Sequence, residues 1–376
     1  MEQSGSLRIV HCFRSPVGGI FRHVRDLAAQ QSAAGHKVGL LCDSSTGAAY
    51  EDGLFKAMEP HLALGLIRIP MRRAITPGDI FSAFKAFRII RNLHPDVLHS
   101  HGAKGGAYAR IVGSILRVSG HRVARLYCPH GGSVHYDPAS LKGKLFFALE
   151  RVLERMSDRL IFVSRYEADG YRNKIGEPAC PWSLVYNGLS PQEFEPVREA
   201  PDAADFLYIG MMRDLKGPDV FLSALALLHK GGRQVSAHFI GEGPDKSAYL
   251  QRIAKLGLEN AVHVHEAMPA RRAFAMAKVV VVPSRAESMP YIVLETIAAA
   301  KPIIATNVGG IPEIFTDDPG RLIEPGNVAA LAAAMLMMLD NKNRNAQAKA
   351  QSARLQQRFS VEAMAMSMEQ AYRSCV

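Results

Sequence analysis

The chain has 376 residues, of which 48% are hydrophobic and 21% charged, and these values predict two packed domains and exclude intrinsic disorder. No stretch approaches the roughly 18 apolar residues of a membrane-spanning helix, and the acidic start does not fit a secretion signal, so we expect a cytoplasmic protein. The five cysteines (Cys12, Cys42, Cys128, Cys180 and Cys375) are scattered along the chain, a distribution that favours neither a disulfide framework nor a thiolate zinc site.

Positive charge is concentrated in the N-terminal half. Residues 1–190 hold 25 Lys and Arg against 15 Asp and Glu, whereas residues 191–376 hold 20 of each, so the net charge of +10 belongs to the first half. A one-sided basic surface attracts phosphates, nucleic acid or anionic lipid. We do not expect nucleic acid as a partner, because no recognised base-reading motif accompanies these cations.

Short apolar runs alternate with amphipathic segments through the first half of the chain. A helix is predicted from Phe21 to about Gly35, after the first strand. The predicted strands of this half are residues 7–13, 37–42, 66–69, 96–99, 123–128 and 159–163. Strands that alternate with helices indicate a doubly wound parallel sheet.

The same alternation restarts after an acidic, proline-containing linker at residues 188–205. Its predicted strands are residues 206–210, 235–240, 262–265, 279–282, 302–306 and 321–323. We therefore expect two Rossmann-like domains, residues 1–190 and 191–358, and leave open whether the last helix, within 359–376, packs back onto the first domain. Ligands of such sheets bind outside the carboxyl ends of the strands.

A pair of glutamates follows the four-valine strand of the second domain. Glu287 lies in the loop after the strand, and Glu295 lies eight positions later, in a helix predicted over Ile292–Ala300. The start of that helix offers unpaired N–H groups and a positive potential. Glutamates near helix starts are common on protein surfaces, so the spacing alone is weak evidence for a binding site.

The Glu-x7-Glu pattern, the strand before it and the segment Val308–Glu313 together resemble the retaining glycosyltransferases of group 1, family 4, which have the GT-B fold and include bacterial cell-envelope and exopolysaccharide enzymes. The resemblance implies two Rossmann-like domains that face each other across a cleft. It also implies an N-terminal domain that binds the acceptor and a C-terminal domain that binds a nucleotide-sugar donor.

The resemblance assigns roles to the residues of the glutamate pattern. It implies that Glu295 binds the donor ribose and that Glu287 lies against the donor sugar and the reaction centre. Where the family has Gly-Phe-Gly, this chain has Ser288, Met289 and Pro290, and a proline has no N–H to donate. We include these three residues in the substrate site and leave open which sugar hydroxyls they contact.

Two cations follow the first strand of the second domain. Gly210 ends the strand, and Arg213 and Lys216, three positions apart, can both reach one diphosphate. An isolated Arg-x-x-Lys is more often a solvated turn, but the family has a similar pattern here, with both cations on the donor phosphates. The chain has no Asp-x-Asp, the pair that commonly holds a divalent metal. We therefore expect neither metal nor cofactor, with the UDP- or GDP-linked donor as a substrate.

The N-terminal half offers a glycine pair and a histidine after predicted strands. Gly18 and Gly19 allow close approach of the backbone to a ligand, and the family has a glycine loop over the donor phosphates at this place. His130 precedes two glycines, and the resemblance places it beside the transferred sugar. We count His130 with Glu287, Arg213 and Lys216 as the candidate catalytic residues.

His99 and His101 end another predicted strand. Such a pair can indicate a metal site, but the sequence offers no third ligand nearby, so we do not predict one. We interpret His101 and Lys104 as contacts to the acceptor.

Two basic, apolar segments of the first half bear on the acceptor. Residues 69–73 and the helical pattern over 81–91 combine apolar spacing with Lys and Arg. Two interpretations stay open: a helix on the anionic inner face of the membrane, where a lipid-linked saccharide is offered, or an ordinary solvated amphipathic helix.

The sequence thus predicts a metal-independent retaining hexosyltransferase that uses a nucleotide sugar and a saccharide or lipid-linked acceptor. Two alternatives remain. One is a sugar-nucleotide epimerase of the same fold, for which we identify no acid and base carboxylates. The other is an inactive nucleotide-sugar-binding partner, for which Ser288–Pro290 is the single indication.

Overall fold

The computed structural model describes residues 5–47, 49–72, 74, 76–316 and 319–376. Arg73, part of the basic segment 69–73, lies outside the described residues. The chain divides into two compact units, one formed by Met1–Gly188 with Val361–Val376 and the other by Leu189–Ser360.

The first unit is built on a seven-stranded parallel sheet. Its strands run in the order β3-β2-β1-β4-β5-β6-β7, so the chain starts in the middle and winds outward in both directions. The strands are β1 (Arg8–Phe13), β2 (Lys37–Asp43), β3 (Gly65–Ile69), β4 (Val97–His101), β5 (Ala124–Cys128), β6 (Arg159–Phe162) and β7 (Trp182–Leu184). Helices cover both faces of such a sheet, which explains why consecutive residues of β1 and β4 are buried, rather than every second one.

The helices of the first unit connect consecutive strands. They are α1 (Gly18–Ala33), α2 (Ala49–Met58), α3 (Gly78–Leu93), α4 (Gly102–Val118), α5 (Leu141–Glu154) and α6 (Arg165–Lys174), followed at the end of the chain by α14 (Val361–Arg373). The last helix packs against α1, with Met368 and Tyr372 fully buried.

The second unit has a five-stranded parallel sheet in the order β10-β9-β8-β11-β12. Its strands are β8 (Ala204–Ile209), β9 (Ala237–Ile240), β10 (Val262–His265), β11 (Ala277–Val282) and β12 (Ile303–Ala305). Its helices are α7 (Pro218–Lys230), α8 (Lys246–Lys255), α9 (Ala270–Ala275), α10 (Tyr291–Ala298), α11 (Ile311–Ile314), α12 (Val328–Asp340) and α13 (Arg344–Gln356). Because β8 and β11 are neighbours, the loops after them meet at one edge of the sheet.

Eleven of the twelve predicted strands are confirmed, and one is wrong. Residues 321–323 do not form a strand: Pro319–Arg321 is a short 3-10 turn, and Ile323 alone bridges to Thr306. The strand β7 was not predicted, because its three half-buried residues at the sheet edge carry no periodic signal. None of the described helices combines the length and the apolar character needed to cross a bilayer.

Candidate functional site

A lysine and a glutamate from neighbouring strand ends form the centre of the site in the second unit. Lys216 ends a 3-10 turn after β8, and Glu287 lies in the loop after β11. The Nζ of Lys216 donates to both carboxylate oxygens of Glu287, at 2.6 Å each, and the hydroxyl of Ser284 donates to Oε1 at 2.7 Å. The Glu287 side chain is 7% exposed and that of Lys216 is 30% exposed. The pair therefore joins a shielded anion to a cation that solvent or a ligand can reach.

Two glycines allow the backbone to pack closely around this ion pair. Gly217 (φ 68°) and Gly309 (φ 60°) both lie in the left-handed region that favours glycine. A Cβ at Gly217 would overlap the carbonyl oxygen of Pro283, and one at Gly309 would overlap the carbonyl oxygen of Glu287. The loops after β8 and β11 and the segment at Gly309 are thus in direct backbone contact.

Arg213 is the second candidate cation of this edge. It is partly buried, and within the described part of the chain its guanidinium makes no hydrogen bond or ion pair. Gly210, three residues earlier, donates its N–H to Ile240, and its carbonyl oxygen packs against Gly241. Arg213 thus adds an uncompensated positive charge beside the neutral Lys216–Glu287 pair.

The residues after Glu287 lead into α10. Met289 is 5% exposed, and Pro290 immediately precedes the helix in an extended conformation. The Ser288 carbonyl accepts from the N–H of Gly310 at 2.8 Å, while the Ser288 hydroxyl is enclosed with no partner among the described residues. Glu295 lies partly buried on α10. The structure thus assembles all of the predicted C-terminal site residues along two adjacent strand ends and the helix that follows.

An arginine that the sequence analysis missed supports the same edge. Arg285 donates to both carboxylate oxygens of Asp219, at 2.8 and 2.6 Å, and to the carbonyl oxygen of Asp214 at 2.6 Å. Burial alone would raise the pKa of Asp219, but the hydrogen bonds and the charge of Arg285, with smaller contributions from a backbone N–H and from Arg252, together lower it. Arg285 thus ties the loop after β11 to the turn that carries Lys216.

In the first unit, His130 lies in a strained turn after β5. Its φ of 51° is in the left-handed region, and the following Gly131 also has a positive φ. The N–H of Gly131 donates to the carboxylate of Glu167, which also accepts from Val163 at 2.8 Å. Burial, together with the neighbouring His23, lowers the pKa of His130 well below its usual value. His130 is therefore held in place as a neutral imidazole.

His130 belongs to a cluster of five histidines (His11, His23, His99, His101 and His130). The Nδ1 of His101 lies 3.0 Å from Nε2 of His130, and its Nε2 lies 3.0 Å from Nδ1 of His11. His101 is only 1% exposed, so its ring offers no surface to an acceptor. Both ring nitrogens of His101 are engaged by other histidines, and the contact of this side chain with the acceptor stays a prediction.

The cluster also corrects the prediction that no third metal ligand lies near His99 and His101. Ring nitrogens of His11, His99 and His101 lie within 4.8 Å of one another, as do those of His23, His101 and His130. However, both nitrogens of His11 are already hydrogen-bonded, to His101 and to Gln31. A metal would have to break the contact between His11 and His101, and neither group includes a carboxylate. Hydrogen bonds engage both ring nitrogens of His11 and of His101, whereas Nε2 of His99 has no partner among the described residues.

Lys104 and the glycine pair complete the predicted residues of the first unit. Lys104 makes an ion pair with Asp79 at 2.8 Å and donates to the Ala74 carbonyl at 3.0 Å, and its side chain is 14% exposed. This ion pair joins α4 to the start of α3. The ammonium group of Lys104 is therefore already paired in this structure, and its predicted contact with the acceptor stays a prediction. Gly18 and Gly19 are exposed at the start of α1, and no atom lies within 4 Å of a Cβ at Gly18.

Two family models match this chain. Residues 17–193 match "Glycosyltransferase Family 4" and residues 203–341 match "Glycosyl transferases group 1", so together the models cover more than four fifths of the chain. The glycogen synthase of Mycobacterium tuberculosis is 25% identical, over 95% of this chain and 91% of that protein. The putative teichuronic acid biosynthesis glycosyltransferase TuaC of Bacillus subtilis is 27% identical, over 65% and 61%.

Solved structures share the fold over nearly the whole chain. Sucrose-phosphate synthase of Thermosynechococcus elongatus superposes with a TM-score of 0.79 at 22% identity, over 98% of both chains. Anabaena HepE, solved with UDP and glucose, superposes with a TM-score of 0.77 at 18% identity, over 98% of this chain and 100% of that one. The family and the fold that the sequence resemblance implies are thereby confirmed, and the chain belongs to the group 1, family 4 glycosyltransferases with the GT-B fold.

Proposed function

We propose that the chain transfers a hexose-type sugar from a nucleotide diphosphate sugar to a saccharide or lipid-linked saccharide, with retention at the anomeric carbon and without a metal. The observation that carries the proposal is the Lys216–Glu287 pair, with Arg213 beside it. A nucleotide sugar carries an anionic diphosphate next to a hydroxyl-bearing ring. A cation and a hydrogen-bond-accepting carboxylate held side by side match that combination.

The engagement of Glu287 supports transfer without a covalent intermediate on this residue. Both of its carboxylate oxygens accept from Lys216, and one also accepts from Ser284, and these hydrogen bonds lower the nucleophilicity of both oxygens. Retention then follows if the acceptor hydroxyl attacks from the face that the leaving diphosphate vacates. The protein's contribution is to stabilise the departing phosphates and to position the acceptor. Lys216 and Arg213 supply the first contribution.

The same cations are the basis for proposing metal independence. A diphosphate that leaves needs its negative charge balanced, by a divalent ion or by fixed protein charges. Arg213 makes no ion pair among the described residues, so its full charge is available, and Lys216 remains partly exposed. The nucleotide is proposed to be UDP or GDP, the former because HepE was solved with UDP and glucose.

The proposed pathway is cell-envelope or exopolysaccharide synthesis at the inner face of the membrane. TuaC, a relative, is described as a teichuronic acid biosynthesis glycosyltransferase. The physical support is a surface on three neighbouring helices, in which α4 contacts both α3 and α5. We call it the α3–α5 surface; its exposed apolar side chains are Ile80, Phe81, Phe84, Ile111, Ile115, Val118, Leu141, Leu145, Leu149 and Val152.

The charge of the α3–α5 surface fits an anionic bilayer. All of α3, α4 and α5 is described, and their exposed cations include Lys85, Arg88, Arg91, Lys142 and Lys144. Their three acidic residues, Asp79, Glu150 and Glu154, are each in an ion pair, and the last two are buried. Exposed apolar residues among unbalanced cations are typical of surfaces that lie on anionic lipid. This surface extends well beyond the predicted segment 81–91.

Product analysis tests the proposed activity. The purified chain is screened by thermal shift against UDP-, GDP- and ADP-sugars, and the best donor is incubated with saccharide acceptors in the presence of EDTA. We expect a new glycoside with the anomeric configuration of the donor, formed at the same rate with and without EDTA. A product of inverted configuration would contradict retention. An epimerised donor would contradict sugar transfer, and a bound donor without any product would contradict catalytic activity.

A further inference from the structure

A continuous chain of side-chain hydrogen bonds runs from Gln31 on α1 to His130. Oε1 of Gln31 lies 2.8 Å from Nε2 of His11, whose Nδ1 lies 3.0 Å from Nε2 of His101. Nδ1 of His101 in turn lies 3.0 Å from Nε2 of His130. Gln31, His11 and His101 are each no more than 4% exposed, so water does not compete for these hydrogen bonds.

The three imidazole rings in this series of hydrogen bonds (His11, His101 and His130) are neutral at ordinary pH. Burial lowers the pKa of His11 to about 4, and burial with the nearby imidazoles lowers the pKa of His101 and His130 well below the usual value. A neutral imidazole carries one N–H and one bare nitrogen. Each ring can therefore donate at one end and accept at the other, and the direction of one hydrogen bond fixes all of them.

Gln31 sets that direction. Its Nε2 donates to the hydroxyl of Tyr372 at 3.0 Å, so its carbonyl oxygen faces His11. An amide oxygen can only accept, so His11 must carry its proton on Nε2. The bare Nδ1 of His11 then accepts from Nε2 of His101, and the bare Nδ1 of His101 accepts from Nε2 of His130. The outermost nitrogen, Nδ1 of His130, is left bare.

Tyr372 completes the arrangement. Its hydroxyl accepts from Gln31 and lies 2.8 Å from Nδ1 of His99, whose buried Nε2 has no partner among the described residues. The C-terminal helix α14 carries Tyr372 and thereby orients the Gln31 amide. The direction of the whole series of hydrogen bonds depends on that amide.

We propose that Gln31, His11 and His101 are positioning residues that hold His130 as its Nε2–H tautomer, so that its Nδ1 accepts a hydrogen bond from a hydroxyl group of a bound sugar. The inference rests on the proposed function for the identity of the ligand. Nδ1 of His130 makes no hydrogen bond within the described part of the chain, and the residue is partly exposed. A bare nitrogen repels phosphate oxygens, so the group that His130 recognises is a hydroxyl and not the diphosphate.

Long-range proton–nitrogen NMR of the full chain with ¹⁵N-labelled histidine tests the tautomers directly. Resonances are assigned from single histidine-to-glutamine variants. We expect His11, His101 and His130 to carry their proton on Nε2. Gln31→Met removes the accepting oxygen, and we expect the single-tautomer pattern of His130 to be lost and kcat/KM to fall about tenfold, the worth of one neutral hydrogen bond.

The control is Gln30→Met, a change on the same helix outside the network, which should alter neither the spectrum nor the kinetics. A proton on Nδ1 of His130 in the unchanged chain, or stoichiometric metal bound by the purified protein, overturns the proposal whether or not the variants fold. An unaltered His130 spectrum in Gln31→Met also overturns it. If the chain shows the expected tautomers but no transferase activity, the proposed function fails and the tautomer assignment stands.

Discussion

Lys216 and Glu287 are 71 positions apart in sequence, yet the lysine Nζ lies 2.6 Å from each oxygen of the glutamate carboxylate. The contact exists because β8 and β11 pair in parallel, which places the turn after one beside the loop after the other. The pair is asymmetric, since Glu287 is shielded while Lys216 keeps an exposed face. Loss of the lysine therefore affects both ligand binding and the stability of an enclosed carboxylate.

We predict that Lys216→Ala lowers kcat by at least about a hundredfold, because a charge that stabilises the leaving diphosphate is lost. It should also lower the free energy of unfolding by about 2 kcal/mol, because Glu287 is left without its cation. Initial rates and urea unfolding measure the two effects. Lys230→Ala, which removes an exposed lysine at the end of α7, is the control and should change neither.

A second substitution separates the two effects. In the Lys216→Ala background, Glu287→Gln removes the unpaired charge and should recover most of the lost stability without recovering turnover. Recovery of turnover in the double variant would show that Lys216 acts only by pairing Glu287, which would remove it from the proposed mechanism.

We predict that Gly309→Ala disturbs the loop that carries Glu287. Alanine at this positive φ costs about 1 kcal/mol in itself, and its Cβ would also overlap the Glu287 carbonyl oxygen. Gly326→Ala is a matched control, since Gly326 has a φ of 78° but no atom within 4 Å of a Cβ. Urea unfolding should show a loss for Gly309→Ala at least about 2 kcal/mol larger than for the control, with weaker donor binding by calorimetry in Gly309→Ala alone. Equal losses of unfolding free energy in the two variants would mean that the loop carrying Glu287 shifts to accommodate the added Cβ at no energetic cost.

The fold could be predicted from the sequence because its buried strands are apolar runs bounded by turns. Residues 279–282 of β11 form an unbroken apolar run, and His11 is the one polar residue within residues 9–13 of β1, as expected of strands covered on both faces. The edge strand β7 lacks that pattern and was therefore missed. Residues 321–323 have the pattern but do not form a strand, because Ile323 alone pairs there, in a single bridge to Thr306.

The candidate site was predicted only as separate residues. Sequence spacing links Arg213 to Lys216 and Glu287 to Glu295, but not one pair to the other, because the link depends on which strands are neighbours in the sheet. The histidine cluster escaped prediction for the same reason: β1 pairs with β4 so that His11 lies opposite His99. No local pattern in the sequence contains that register.

We predict that stability falls between pH 6.5 and 4. His11 and His23 have a pKa of about 4 in the folded chain, because burial disfavours their charged forms, against an ordinary value of 6.5. The unfolded chain therefore binds more protons in this range, and the free energy of unfolding drops as pH falls through it and levels off above 6.5. Each such histidine contributes a slope of up to about 1.4 kcal/mol per pH unit.

Urea unfolding at pH values from 7.5 to 5 measures that slope. The range stays above the usual carboxylate pKa values, so histidines dominate it. His11→Gln should give a shallower slope than the unchanged chain, by up to one proton, even though it is less stable at pH 7.5. A flat profile from pH 7.5 to 5 would contradict the burial of neutral imidazoles.

We predict that the α3–α5 surface binds vesicles of phosphatidylcholine and phosphatidylglycerol, and that high salt releases the chain. Leu145→Gln and Lys144→Gln should each weaken partitioning into vesicles about fivefold. The first removes apolar area that the bilayer buries when the protein binds, and the second removes about 1 kcal/mol of attraction to the anionic surface. Leu145 is 59% exposed, so its substitution leaves the fold intact. The control is Leu227→Gln, which changes a leucine of α7 that is 45% exposed and lies in the other unit. Co-sedimentation measures all three variants. Equal weakening by Leu227→Gln would show that the α3–α5 surface is an ordinary solvated face, and binding that does not depend on phosphatidylglycerol would contradict the proposed attraction to anionic lipid.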